Sequence, residues 1–235
     1  MSPGAARRRS ILPALVALAV AACGPSSGER TNVLEAHGEP TVRVMDFAHP
    51  MPLDPLPAGW YHRTFWTRAP MTMSFAVKDG VSALRLETHA SASMLFRHVD
   101  IELAEYPTLT WRWFIERSID SPLDERTREG DDHPARLFLR FHTTAGATRN
   151  MEIVWGNRLH RGDYKVIGGF PHYVADGGNE NIGRWHRETV DLAAIYRTIW
   201  PDAAPARLQE IALFCDSDET KSSTVAYFAD VALAR

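Results

Sequence analysis

Short runs of alternating apolar and polar residues dominate the chain from Thr41 onward, and glycine, proline or aspartate separates most of them. A period of two is typical of β-strands with one buried face, and the separating residues are typical of turns. The runs predict strands at Thr41–Phe47, Thr72–Val77, Ala83–Thr88, Ser93–Val99, Thr108–Glu116, Ala135–His142, Asn150–Trp155, Tyr164–Ile167, Trp185–Asp191, Glu210–Cys215 and Thr224–Leu233. Only Leu192–Ile199, which Pro201 ends, predicts a helix. The pattern therefore predicts an all-β sandwich or barrel.

In three of these strands the alternation separates an apolar face from a charged and aromatic one. The apolar faces carry Trp111, Trp113 and Ile115, then Leu137, Leu139 and Phe141, then Met151, Ile153 and Trp155. If the strands share one sheet, the opposite faces form a surface that suits sugars, because pyranose rings stack on aromatics while hydroxyls need charged partners. The alternative is a solvated face with ordinary ion pairs. The candidate ligand-binding residues are Arg112, Arg136, Phe138, Arg140 and Glu152, with Trp155 at the rim of the loops Asn157–Gly162 and His172–Asn181.

Two acidic segments are candidate metal or catalytic sites. Asp131, Asp132 and His133 precede the strand at Ala135, and Asp216-Ser217-Asp218-Glu219-Thr220 follows the strand that ends at Cys215. Oxygen ligands at such spacing suit calcium, so Asp131, Asp132, Asp216 and Asp218 are the candidate metal ligands. Asp131 or Asp132, supported by His133 or Arg136, could instead act as acid or base. The alternative is a purely structural role, in which these carboxylates cap turns. We expect no cofactor other than a structural calcium ion.

The N-terminus predicts export. Arg7-Arg8-Arg9 precedes an apolar stretch from Ile11 to Ala22, which is too short to span a bilayer and has the order of a signal peptide. Cys23 follows Val20-Ala21-Ala22 and resembles the acylated cysteine of bacterial lipoproteins. We therefore predict a signal peptide at 1–22, a flexible tether at 23–40 and one domain at 41–235. The lipid on Cys23 would bind a bilayer, with the periplasmic face of the outer membrane as the expected location.

Composition excludes several classes of function. The 235 residues carry a net charge of -3, and removal of residues 1–22 with their three arginines makes it -6. A mildly acidic chain without a basic cluster argues against nucleic acid as a partner. Only Cys23 and Cys215 are present, so lipidation of Cys23 leaves no intrachain disulfide. The sequence has neither a His-Glu-x-x-His zinc motif nor a Gly-x-Ser-x-Gly nucleophile motif.

Several motifs in order resemble the bacterial family known as domain of unknown function 3047. They are Trp111-Arg112-Trp113, Gly130-Asp131-Asp132, Ala135-Arg136-Leu137-Phe138-Leu139, Val154-Trp155-Gly156, Asp216-Ser217-Asp218-Glu219-Thr220 and Tyr227-Phe228-Ala229-Asp230-Val231. The segment Arg187-Glu188-Thr189 departs from the Arg-Asn pair of that family, which puts any role of this segment in doubt. The resemblance implies an antiparallel β-sandwich of the galactose-binding-like jelly-roll type, a fold that includes many carbohydrate-binding modules, with a single domain and one short helix.

Three functions remain open at the level of sequence. The first is a non-catalytic module that binds a glycan or another cell-envelope component. The second is a hydrolase of envelope polysaccharide that uses Asp131 or Asp132. The third is a structural envelope lipoprotein without a small ligand. A sandwich hosts many functions, so the fold alone does not choose among them.

Overall fold

The structure is a computed structural model that describes residues 32–235. The predicted signal peptide 1–22, Cys23 and the first part of the tether lie outside the described residues. The strands are β1 Leu34–Glu35, β2 Thr41–Met45, β3 Tyr61–Thr64, β4 Thr72–Lys78, β5 Val81–His89, β6 Ser93–Glu102, β7 Thr108–Arg117, β8 Arg136–Thr143, β9 Thr148–Gly156, β10 Tyr164–Ile167, β11 Phe170–Gly177, β12 Trp185–Asp191, β13 Ala206–Phe214 and β14 Ser223–Ala234. One α-helix, α1, spans Leu192–Ile199, and short 3-10 turns lie at Arg128–Gly130 and Asn179–Asn181.

The strands form two sheets. The eight-stranded sheet has the order β1-β6-β13-β8-β9-β11-β10, with β3 also paired to β6, and the six-stranded sheet has the order β12-β7-β14-β5-β4, with β2 also paired to β14. All pairings are antiparallel except β1 with β6 and β11 with β9. The predicted all-β sandwich with one short helix is confirmed.

All the strands predicted from alternation are present, and the predicted helix has the observed bounds. Three strands were missed. Strand β1 lies within the range predicted as tether, where Leu34 pairs with Val99. Strand β3 is short, and β11 was predicted as loop because Gly168, Gly169 and Pro171 mark turns. In β11 the prolyl residue lies near the start of the strand, where a missing N–H is tolerated.

The core lies between the sheets and contains the three predicted apolar faces. Trp113 of β7 and Trp155 of β9 join the two sheets, with ring centroids 5.6 Å apart, and Trp111 contacts Trp113 at 5.2 Å. All three rings are at most 1% exposed. Burial on this scale supplies the main driving force for packing one sheet on the other.

Helix α1 closes one end of this core. Asp191 accepts a hydrogen bond from the backbone N–H of Ala194 at 2.7 Å, which caps the first turn. Tyr196 packs on Phe141 of β8 with ring centroids 5.1 Å apart. Cys215 is buried, and burial raises the pKa of its thiol. Among residues 32–235, no helix has the length and apolar character needed to cross a bilayer.

Candidate functional site

A cleft of about 370 Å³ opens on the outer face of the eight-stranded sheet, the face opposite the core. Its lining combines apolar and charged side chains from β6, β8, β9, β10, β13 and four loops. The lining residues are Phe65, Thr67, Arg68, Ala92, Met94, Arg128, Asp131, Arg136, Glu152, Ile167, Phe214, Asp216, Asp218 and Glu219. We call this feature the cleft.

Arg136 is the centre of the charged network in the floor of the cleft. Its Nε and Nη2 atoms bind the two carboxylate oxygens of Asp216 at 2.9 and 2.7 Å, and Nη1 binds Glu152 at 2.7 Å. Nη2 also donates to the backbone carbonyl of Asp131. The side chain is only 3% exposed and lies over the ring of Phe214 at 5.2 Å. Burial alone would raise the pKa of Glu152, but the positive charge of Arg136 lowers it to about 2.

A second buried group continues from Asp131. Lys165 Nζ donates to Asp131 at 2.6 Å and to Nε2 of His133 at 2.8 Å. The Nδ1 atom of His133 donates to the carbonyl of Trp155 at 2.6 Å, so the imidazole is neutral with its proton on Nδ1. Burial, together with the charges of Lys165 and Arg136, lowers the pKa of His133 to about 4.

Four carboxylates form what we call the acidic cluster: Asp132, Asp216, Asp218 and Glu219. One oxygen from each lies within 4.8 Å of the others. Arg68 pairs with Asp218 and, at 3.0 Å, with Glu219. Asp132 is fully buried and accepts hydrogen bonds from the backbone N–H and hydroxyl of Thr220 at 2.6 and 2.5 Å. Burial and the neighbouring carboxylates Asp132 and Asp218 raise the pKa of Glu219 to about 8.

The acidic cluster contains the residues that could hold a hard cation such as calcium, since it offers oxygen ligands only. It includes three of the four predicted metal ligands, Asp132, Asp216 and Asp218, and adds Glu219. The fourth, Asp131, is directed to Lys165 instead. Adjacent carboxylates diverge here because Asp131 and Asp132 lie in an irregular segment after a 3-10 turn. The predicted set of four is therefore brought together only in part.

The predicted catalytic residues differ in access to the cleft. Asp131 lines it, whereas Asp132 and His133 have no exposed surface and serve the packing of the adjacent loops. Burial would raise the pKa of the Asp131 carboxyl, but the positive charge of Arg136 holds it well below its usual range. Asp131 is therefore ionised and cannot act as the acid of a hydrolase near neutral pH.

The predicted ligand-binding residues lie in three places. Arg136 and Glu152 line the cleft. Phe138 and Arg140 lie beside it on the same face, with the guanidinium of Arg140 5.7 Å from the ring of Phe138. Arg140 also pairs with Glu210 at 3.3 Å.

The expectation of one surface that includes Arg112 and Trp155 is wrong. Arg112 belongs to β7 in the six-stranded sheet, where it pairs with Asp230 and lies 5.6 Å from the ring of Trp185. Trp155 points into the core and is fully buried. Alternation correctly assigned Trp155 to an apolar face. The prediction that Trp155 lies at the rim of a pocket rested on its position next to a loop, and this position does not imply exposure to solvent.

Sequence reasoning missed Arg68, Lys165 and Glu219 as members of the site. Glu219 was visible within the second acidic segment but was not chosen as a ligand. Lys165 occurs in a four-residue strand, and its contact with Asp131 spans 34 positions. Arg68 lies in a stretch without periodicity, and only the tertiary fold brings it to Asp218.

A second polar group lies beside Trp155, whose ring is 5.1 Å from that of His186. Asp176, His186 and Glu188 each offer a ligand atom within 4.8 Å of the others. Arg161 pairs with Glu188 at 2.8 Å, and the Trp113 indole N–H donates to Glu188 at 3.2 Å. These contacts satisfy the buried carboxylate, so the group has a structural explanation.

The model of the family described as "Protein of unknown function (DUF3047)" matches residues 58–232. Among curated proteins, none matches the sequence.

Among solved structures, the fold is similar to the family 11 carbohydrate-binding module of the cellulosomal cellulase Lic26A-Cel5E of Clostridium thermocellum, with a TM-score of 0.43, 5% identity and coverage of 83% of this chain and 94% of that chain. The family 30 module of the cellulase CEL9D-CEL44B of the same organism has a TM-score of 0.45 and 9% identity, and the match covers 83% of this chain and 96% of that chain. The xyloglucanase domain of NopAA from Sinorhizobium fredii, in complex with cellobiose, has a TM-score of 0.39 and 9% identity, and the match covers 76% of this chain and 94% of that chain. Values this low do not transfer a ligand or an activity to the chain.

Proposed function

Since the chain belongs to the DUF3047 family, whose description gives no activity, we propose a function from the chemistry of the cleft. We propose that the protein is a non-catalytic module that binds a glycan of the cell envelope. The observation that carries this proposal is the cleft itself, where aromatic and charged side chains share one open surface. A sugar needs both kinds of contact, because its ring faces are apolar and its hydroxyls are polar.

The charged residues of the cleft support binding because their positions are already fixed. Arg136 is held by Asp216 and Glu152, and Arg68 is held by Asp218 and Glu219. Little side-chain entropy remains to be lost when a ligand arrives, which favours affinity. Phe65, which is partly exposed, supplies an apolar surface on which a ring can lie.

Binding of an array of envelope glycans and plant-type polysaccharides to the full-length protein tests the proposal. Arg68→Ala should weaken binding about tenfold, because it removes a partly exposed charged group at the wall of the cleft. Arg187→Ala is the matched control, since Arg187 is exposed on the six-stranded sheet. Absence of binding by the wild-type protein to every glycan would contradict the proposal and favour a structural envelope role.

A hydrolase of envelope polysaccharide is the second candidate, and one observation favours it. Glu219 lines the cleft with a pKa raised to about 8, so it keeps its proton at neutral pH beside the carboxylate of Asp218. A protonated carboxyl group that can act as a general acid, next to a second carboxyl group, is the arrangement of glycosidases. Release of shorter glycans by the wild-type protein, but not by Glu219→Gln, would support this candidate over simple binding.

We also propose that the protein is exported and anchored by lipid on Cys23. This rests on the basic and apolar segments that precede Cys23 in the sequence. In a Gram-negative host, the wild-type protein should fractionate with membranes and Cys23→Ala should lose this association or remain unprocessed. Equal solubility of both proteins would contradict the anchor, and separation of inner from outer membranes tests the expected outer-membrane location.

A further inference from the structure

Large apolar side chains with high exposure occur at both rims of the cleft. In the described part of the chain the exposed large hydrophobic residues are Trp66, Val77, Leu123, Tyr164, Val166 and Phe170. Trp66 is fully exposed, although a tryptophan ring is the largest apolar group that a protein can bury. Exposed aromatic residues beside a cleft mark a binding surface more often than scattered ones do.

Trp66 lies at one edge of the eight-stranded sheet. It follows β3, and its two chain neighbours Phe65 and Thr67 both line the cleft. The next residue, Arg68, pairs with the acidic cluster. The backbone on both sides of Trp66 is therefore part of the wall of the cleft, and the indole ring extends from that wall into solvent.

Phe170 lies near the opposite edge of the sheet, in β11, which pairs with the edge strand β10. It pairs directly with Ile167, which lines the cleft, and directly paired residues of an antiparallel ladder point to the same face. The neighbouring pair, Lys165 with His172, points to the same side and reaches Asp131. The ring of Phe170 is thus on the face that carries the cleft.

The separation of the two edges defines the size of a ligand that contacts both. From β3 to β11 the order of strands is β3-β6-β13-β8-β9-β11. At a spacing of roughly 4.8 Å per strand, these strands span about 24 Å. This is much longer than one sugar ring, so a monosaccharide cannot contact both aromatic residues.

We infer that the ligand is an oligosaccharide of several rings that lies across the strands, with Trp66 and Phe170 as stacking platforms at its two ends. The charged residues of the cleft contact hydroxyls between these ends. This inference rests on the proposed glycan binding and specifies its substrate class and the residues that set its length.

Affinity as a function of chain length tests the inference in the full-length protein. The probes are cello-oligosaccharides, chito-oligosaccharides and glycan strands of peptidoglycan, each from two to eight rings, measured by calorimetry. For the wild-type protein, affinity should rise with chain length until both platforms are covered. Trp66→Ala and Phe170→Ala should each lower affinity for the long probes about tenfold and leave the affinity for two-ring probes unchanged.

Val77→Ala is the control, because Val77 is 71% exposed but belongs to β4 in the other sheet. Acrylamide quenching supplies an independent readout, since the other six tryptophans are buried or partly buried. Trp66→Phe should lose the part of the fluorescence that acrylamide quenches. In the wild-type protein, a long probe should protect this part from quenching. Equal affinity of wild type and both variants for the same glycan would overturn this inference and leave the proposed function intact. Absence of binding by wild type across all probes would overturn both.

Discussion

Arg136 and Asp216 form a bidentate ion pair beneath the cleft, with both carboxylate oxygens within 2.9 Å of guanidinium nitrogens. Both side chains are at most 9% exposed. The pair joins β8 to the loop after β13, and it therefore connects the floor of the cleft with the acidic cluster. Its geometry matches the fork of a guanidinium, which a lysine could not reproduce.

Loss of Arg136 should destabilise the fold strongly. In Arg136→Met the buried carboxylates of Asp216 and Glu152 lose their counter-charge, and breaking such a buried pair typically lowers the free energy of unfolding by roughly 3–5 kcal/mol. Denaturant unfolding of full-length variants measures this. The control is Arg140→Met, whose arginine is 29% exposed and should contribute less than about 1 kcal/mol. Similar losses in the two variants would contradict the central role of Arg136.

Glu125 should also stabilise the folded protein, because it holds a loop in place. Its carboxylate is 4% exposed and accepts hydrogen bonds from the backbone N–H groups of Asn157, Arg158 and Leu159 at 2.9, 2.7 and 2.6 Å. Glu125→Ala leaves buried donors unpaired and should lower the free energy of unfolding by at least about 2 kcal/mol. Glu105→Ala, at an exposed position, should change it by less than about 0.5 kcal/mol.

The buried neutral His133 should make the protein less stable in mild acid. The pKa falls from 6.5 in the unfolded chain to about 4 in the folded protein, so the unfolded state binds the proton first as the pH decreases. The stabilising contribution is complete above pH 6.5 and is lost between pH 6.5 and 4, with a limit of about 3 kcal/mol. The contribution of Glu219 to stability has the opposite pH dependence, because its raised pKa favours the folded state at low pH.

The His133 effect is therefore measured as a difference. The free energies of unfolding of wild type and His133→Gln are compared at several pH values from 4 to 8. The advantage of wild type should be largest at pH 7 to 8 and should shrink toward pH 4. An advantage that does not vary with pH would show that the buried imidazole does not titrate as described.

Calcium should stabilise the folded protein if the acidic cluster binds it. A ligand that binds only the folded state raises the melting temperature with its concentration, and binding requires Glu219 to lose its proton. The shift at millimolar calcium should therefore be larger at pH 8 than at pH 5, and Asp218→Asn should abolish it. Asp79→Asn, at an exposed hairpin turn, should retain the full shift. No shift in wild type would leave the four carboxylates with a structural role only.

The sequence predicted the faces of strands better than their partners. Alternation assigned Trp113 and Trp155 to the core, and the structure places both there. Alternation carries no information on which strands pair, so it could not show that β7 belongs to the other sheet and takes Arg112 with it. Strand pairing depends on contacts between distant residues, such as Ala212 of β13 with Phe138 of β8.

The candidate site was predictable only where its residues are close in sequence. Asp216 and Asp218 were predicted as a pair because they lie two residues apart. The contact of Arg68 with Asp218 joins residues 150 positions apart, and no local pattern indicates it. Burial also changed the roles of neighbours, since Asp132 holds a loop while Asp131 lines the cleft.

The structure of the full-length protein in complex with an oligosaccharide would test the central claim most directly. We predict an intact glycan in the cleft, with a ring against Phe65 and hydroxyls within hydrogen-bond distance of Arg68 and Glu152. The chain of rings should run toward Trp66 at one rim and Phe170 at the other. A glycan bound to the six-stranded sheet, or a cleaved glycan beside Glu219, would contradict a non-catalytic binding module that uses this cleft.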